Sequence, residues 1–132
     1  MMPPYRDTAH LCNVMQALFE GLRSRPGNPV DALGRSRLVI RLQLAAPEGI
    51  ILIDGRARPV SVTCGKGKAA RPDLDVYLSS ETLHRILLDE LSLKEALARK
   101  QITVRGPVWK TFSLADIFRE GRALYPGIVK DL

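Results

Sequence analysis

The sequence predicts an α+β fold: an N-terminal helix, a three-stranded antiparallel meander, a crossover to the further strands of one five-stranded sheet, and helices packed on one face. Three observations predict it. Leu11, Val14, Met15, Leu18, Phe19 and Leu22 recur at helical spacing. Leu38, Ile40, Leu42 and Leu44 alternate strictly with Val39, Arg41 and Gln43, as a strand wet on one side requires. The stretch from Ser79 to Pro107 reads as two short helices in series followed by a strand.

Asp7 is placed to cap the first helix, and the breakers in SRPGNP, Ser24 to Pro29, end it. A loop is expected from there to about Ser36. The first strand, Arg37 to Leu44, turns at Pro47 to Gly49 into a second, Ile50 to Ile53. After Asp54-Gly55 a third follows from Pro59 to Cys64, with Val60 and Val62 alternating against Ser61 and Thr63. Short connections make these three antiparallel. The fourth strand interleaves Leu74, Val76 and Leu78 with Asp73, Asp75 and Tyr77. Ser80 then caps a helix with stripe Leu83, Ile86, Leu87 and Leu91, and Ser92 with Glu95 forms a capping box for a second bearing Leu93, Ala96 and Leu97. Ile102 and Val104 alternate with Thr103 and Arg105 in the last strand, which Gly106 and Pro107 stop. Ser113 is expected to cap a final helix with Leu114, Ile117, Phe118, Gly121, Leu124 and Tyr125 on one arc, ended by Pro126.

A chain of 132 residues with 45% hydrophobic content fits one domain over residues 1–132 with one core. Aromatics make up only 5%, so that core is aliphatic. Nothing approaches the ~18–20 apolar residues of a membrane span, and MMPPYRDTAH lacks the hydrophobic core of a signal peptide. Cys12 and Cys64 lie on different elements without a pairing motif. They are read as unpaired thiols in a reducing compartment, and the expected location is cytoplasmic.

The net charge is +6, and fourteen of the twenty basic residues are arginine, which favours anionic partners. Arg56, Arg58, Lys66, Lys68 and Arg71 form an acid-free run without an aromatic, so no nucleic-acid partner is expected. Lys66, Lys68 and Arg71 are instead the candidates for an anionic head group or a transient membrane contact. In the same loop Gly65, Gly67 and Ala70 keep G-x-G-x-x-A spacing, but a strand follows where a phosphate site needs a helix N-terminus.

His10 and His84 have no second ligand at metal spacing. His84 reads equally as an exposed residue or as one at the edge of the core. Ser79, Ser80, His84 and Asp89 are the residue types of a hydrolytic triad, but there is no G-x-S-x-G turn to present a nucleophile. Asp73 and Asp75 share one side of a strand, as a carboxylate pair or as a solvated face. No catalytic residue, metal or cofactor is assigned, and the chain is not expected to be an enzyme.

The order of strand DLDVYLSS, helix ETLHRILLDE, helix SLKEALAR, strand ITVRG and an amphipathic C-terminal helix resembles the sterol carrier protein 2 family over most of the chain. The family's pattern matches at Asp73 or Asp75, Ser79-Ser80, Ala96 and Gly106, none of them catalytic. Two departures stand out. Where the family places glycines between the short helices and before the last strand, this chain has Leu88-Asp89-Glu90 and Lys100-Gln101.

The resemblance implies non-enzymatic binding or transfer of a lipid (fatty acid, fatty acyl-CoA, phospholipid or sterol-like) in an apolar tunnel between sheet and helices. Its walls would come from Met15, Phe19, Leu83, Ile86, Leu87, Trp109, Phe112, Ile117 and Phe118. An acyl chain gains ~0.8 kcal/mol per methylene moved out of water, so such a tunnel would discriminate little by polarity. Core residue and tunnel wall look alike in sequence. The alternative is an accessory or protein-interaction module with a filled core, as a monomer or a homodimer.

Overall fold

The computed structural model describes residues 4–65 and 71–132. Helix α1 (Thr8–Arg23) and helix α2 (Pro29–Ser36) precede the strands β1 (Val39–Ala45), β2 (Gly49–Asp54), β3 (Ser61–Gly65) and β4 (Leu74–Ser79). Helices α3 (Ser80–Leu87) and α4 (Leu93–Ala98), strand β5 (Ile102–Arg105), a 3-10 turn at Val108–Lys110 and helix α5 (Thr111–Asp131) complete the chain. The sheet order is β3-β2-β1-β4-β5. Only β1 and β4 run parallel, because the chain crosses over between β3 and β4.

The helices cover the face bearing Ile40, Leu42, Ile51, Ile53, Leu74 and Val76, all fully buried. These share one hydrophobic cluster with the stripes of α1, α3 and α5. On the opposite face Asp75 accepts two hydrogen bonds from Arg41, at 3.0 and 2.7 Å, and others from Gln43 and the Tyr77 hydroxyl. Arg105 lies over the Tyr77 ring. Asp73 takes Val39 N–H at 2.9 Å and meets Arg56 and Lys110. The two carboxylates therefore serve separate networks, neither paired with each other nor on a freely solvated face.

Several sequence expectations are corrected. The expected loop before Ser36 contains α2: Asn28 accepts Asp31 N–H, and Pro29 occupies the first turn, where its missing N–H costs nothing. Asp7 and Ser92 cap α1 and α4 as expected, and the other two caps move. Ser79 caps α3, while the buried Ser80 donates to Pro47 O and ties the helix start to the β1–β2 turn. Helix α5 begins at Thr111, ahead of Ser113, and runs through Pro126 instead of ending there. Proline removes one hydrogen bond, but Ile128 and Val129 beyond it still pack on the core and hold the last turns.

The largest correction concerns the cysteines. Cys12 of α1 and Cys64 of β3 are disulfide-bonded across 52 residues of sequence, with their Cα atoms 5.5 Å apart. Sequence spacing alone carries no sign of this pairing, because it arises from α1 lying across the β3 edge.

Backbone geometry explains the two departures from the family pattern. Asp89 and Lys100 adopt φ of 61° and 58°. Each closes its helix in a Schellman motif: Glu90 N–H bonds Arg85 O and Asp89 N–H bonds Ile86 O, and Gln101 and Lys100 repeat this on Ala96 and Leu97. The left-handed positions are kept without glycine. Gly106, by contrast, cannot be exchanged: its φ is 136°, and a Cβ there would sit 2.5 Å from Asp73 O.

Candidate lipid site

Seven of the nine candidate pocket residues come together. Met15 and Phe19 from α1, Leu83, Ile86 and Leu87 from α3, and Ile117 and Phe118 from α5 are all buried in the central cluster. Their spacing on three amphipathic helices is what converges them on one volume above the sheet. Packing is close where the helices cross. A Cβ on Gly121 of α5 would approach Leu87 to 3.2 Å and Leu18 to 3.7 Å. Phe19 also reaches an open surface depression of about 290 Å³ beside Gln16, Glu20, Arg23 and Val62.

Trp109 and Phe112 stand apart from these seven. They are 65% and 70% exposed, on the surface at the start of α5. Arg71 is exposed at the entry to β4, while Lys66 and Lys68 lie outside the described residues.

The aliphatic volume contains one polar cluster, which the sequence reading did not single out. The Tyr5 and Tyr125 hydroxyls are hydrogen-bonded to each other, and Tyr125 Oη lies 2.6 Å from His84 Nδ1. The His10 ring packs edge-on against Tyr5 with centroids 6.0 Å apart, and the His84 ring does so at 5.9 Å. Both histidines and two of the three tyrosines thus gather where the N-terminal segment, α1, α3 and α5 meet. The signal in sequence was faint: Tyr125 and His84 both sit on apolar arcs of their helices.

Burial governs the electrostatics of this cluster. It pushes Tyr5 up to about 12 and raises Tyr125 as well, so both phenols stay protonated. Burial also lowers His84, against the opposing pull of Glu90 and Glu81, and favours the neutral imidazole. Arg6 N–H donates to His10 Nδ1 at 3.0 Å, which makes Nδ1 the acceptor and leaves the proton of a neutral ring on Nε2. That buried Nε2 has no hydrogen-bond partner among the described residues. His10 Nε2–H is thus the donor left over in this cluster, while the two phenolic hydroxyls and His84 Nδ1 already bond one another.

Hydrolytic chemistry does not assemble here. Ser79 Oγ is used by Thr82, Ser80 Oγ by Pro47 O, and Asp89 faces Arg122 at 3.4 Å, each away from His84. Among the described residues no three His, Cys, Asp or Glu side chains could hold a metal ion, and no helix is long and apolar enough to cross a membrane.

No family model matches the sequence, and no curated protein matches it. Solved structures do match. The sterol carrier protein domain 2 of Helicoverpa armigera superposes with a TM-score of 0.63 at 19% identity, covering 83% of this chain and 85% of that one. The apo form of Sterol Carrier Protein 2 from Yarrowia lipolytica gives 0.63 at 16% identity, covering 87% and 91%. Palmitated SCP2L2 from Aedes aegypti gives 0.54 at 21% identity, covering 78% and 92%. With its five-stranded mixed sheet, the crossover before β4 and helices on one face, this chain has the sterol carrier protein 2 fold.

Proposed function

We propose that the protein is a non-enzymatic lipid-binding or lipid-transfer protein that takes an acyl or similarly apolar ligand between its helices and sheet. The observation that carries this reading is the convergence of Met15, Phe19, Leu83, Ile86, Leu87, Ile117 and Phe118 on one aliphatic volume in this fold. A structural neighbour bearing palmitate supports it. The alkyl chain would lie among these side chains. Its polar end would meet the Tyr5, His10, His84 and Tyr125 cluster, where His10 Nε2–H would donate to a carboxylate, carbonyl or hydroxyl oxygen. A fatty acid or fatty acyl group fits that chemistry, as does a sterol-like alcohol. Arg71, with Lys66 and Lys68, would meet an anionic head group or bilayer.

Delipidated protein is expected to bind a fluorescent fatty acid saturably, and native mass spectrometry of the purified protein should show a co-purifying lipid. Absence of saturable binding would overturn the proposal. The close packing at Gly121 favours the second reading, an accessory module with a filled core, monomeric or homodimeric. In that case melting temperature would be indifferent to every lipid tested. The cytoplasmic expectation drew in part on unpaired cysteines, and the Cys12–Cys64 bond removes that part of its support.

A further inference from the structure

Strand register gathers one end of the sheet: Val39 pairs with Asp54, Asp54 with Ser61, Ile40 with Leu74 and Asp75 with Arg105. The segments that enter or leave there carry Arg37, Arg56, Arg58, Arg71, Arg105 and Lys110 against Asp54 and Asp73. This end alone thus accounts for four of the six formal net positive charges. All five arginines are exposed. Lys110 is drawn inward instead, its Nζ 3.4 Å from Asp73 Oδ1 and 5.4 Å from the centroid of the Trp109 ring. Asp73 also holds Arg56, so the aromatic tip and the arginine rim are physically continuous.

Trp109 and Phe112 are the two most exposed large apolar residues among those described, at 65% and 70%. Trp109 stands in the 3-10 turn and Phe112 in the first turn of α5, three residues apart in sequence. Lys110 Nζ stays against the Trp109 ring and on Asp73, and the two exposed rings form the apolar surface of the tip.

We propose that this end of the sheet docks on an anionic bilayer, Trp109 and Phe112 entering the interfacial layer while the arginine rim meets lipid phosphates. Tryptophan is at home at that depth, and each basic residue held near an anionic surface strengthens attachment about fivefold, or ~1 kcal/mol. A nucleic-acid surface fits less well. Stacking on a base needs an open ring face, whereas Lys110 Nζ, held by Asp73, already lies 5.4 Å from the centroid of the Trp109 ring. The proposal draws on the lipid-carrier reading for why a bilayer would be met. The surface itself stands on the charge and the aromatics.

Trp109 is the only tryptophan, so its fluorescence reports the contact directly. Addition of phosphatidylcholine vesicles containing phosphatidylserine should shift the emission to the blue and sediment the protein, and pure phosphatidylcholine should do so far less. Phe112→Ala should weaken sedimentation about tenfold, taking the transfer of one aromatic side chain as the scale. Arg58→Gln with Arg71→Gln should weaken it by a larger factor that disappears at high salt. All three positions are exposed, and unchanged melting curves will verify folding. No shift with anionic vesicles, equal response to both vesicle types, or a shift with single-stranded nucleic acid while vesicles stay unbound would each overturn the proposal. Fatty-acid binding in vesicle-free solution separates the two readings, since the Phe112 variant should retain it whether or not docking fails.

Discussion

His84 Nδ1 and the Tyr125 hydroxyl, carried by α3 and α5, lie 2.6 Å apart inside an otherwise aliphatic interior, and Tyr5 bonds the same hydroxyl from the N-terminal segment. One oxygen thus joins three separate pieces of chain. Tyr125→Phe would leave two buried polar groups without their partner, at a cost of about 1–3 kcal/mol. Urea denaturation should show a lower midpoint with an unchanged slope. An unchanged midpoint would mean that water reaches the cluster.

The same pair sets a pH dependence. Burial holds His84 below its ordinary value of 6.5, so the unfolded chain binds its proton first as pH falls. Stability from this group is complete above that value, declines below it, and levels off once folded His84 is also protonated. Melting temperatures measured across this window should fall toward acid, and His84→Gln should flatten the slope. At the alkaline end the phenols act in the opposite direction. Tyr5 is raised to about 12 from 10.0, so stability is lost as pH climbs past the lower value. Ultraviolet titration should find two of the three tyrosines ionising only on unfolding.

On the outer face Asp75 is held down to about 2, first by the Arg41 hydrogen bonds and then by Gln43 and Tyr77, against the opposing effect of burial. A depressed carboxylate stabilises the fold above its unfolded value of 3.8, and that stabilisation is lost as pH falls through the folded value. The contribution is on the order of 2 kcal/mol. Asp75→Asn should remove a similar amount at neutral pH and abolish the acid loss between those two values, read by guanidinium melts.

The strands and the amphipathic helices were legible because their apolar residues keep a period, and seven pocket candidates met in space because those periods define faces. What escaped was non-periodic. Helix α2 is short and hidden behind Pro26, Gly27 and Pro29, although Asn28-Pro29 is a capping signal. The Tyr5, His10, His84 and Tyr125 cluster spans 120 residues of sequence and has no spacing rule. Trp109 and Phe112 were expected among the pocket walls, but exposure depends on what neighbouring elements leave uncovered, and both lie open at the surface.

The Cys12–Cys64 bond closes a loop of 52 residues, worth about 4 kcal/mol in the chain-entropy account of cross-links. It joins α1 to the β3 edge, so reduction should loosen those two elements first. Neither cysteine should react with maleimide until reductant is added, and the reduced protein should melt well below the oxidised one. Prompt alkylation without reductant would show that the bond is not formed in solution.

Lys100 tests the account of the missing glycines. A side chain at φ 58° carries a steric penalty of ~1 kcal/mol that glycine does not. Its backbone N–H already closes α4 on Leu97 O, and among the described residues no ion pair involves its ammonium. Lys100→Gly should therefore stabilise the protein by about 1 kcal/mol, or roughly 3–5 °C in melting temperature. Asp89→Gly should gain less, because aspartate tolerates the left-handed region and the change also removes the contact with Arg122. A loss of stability at Lys100 would mean that its backbone is not left-handed there. The difference from the family would then lie in the path of the chain between α4 and β5, not in one residue's conformation.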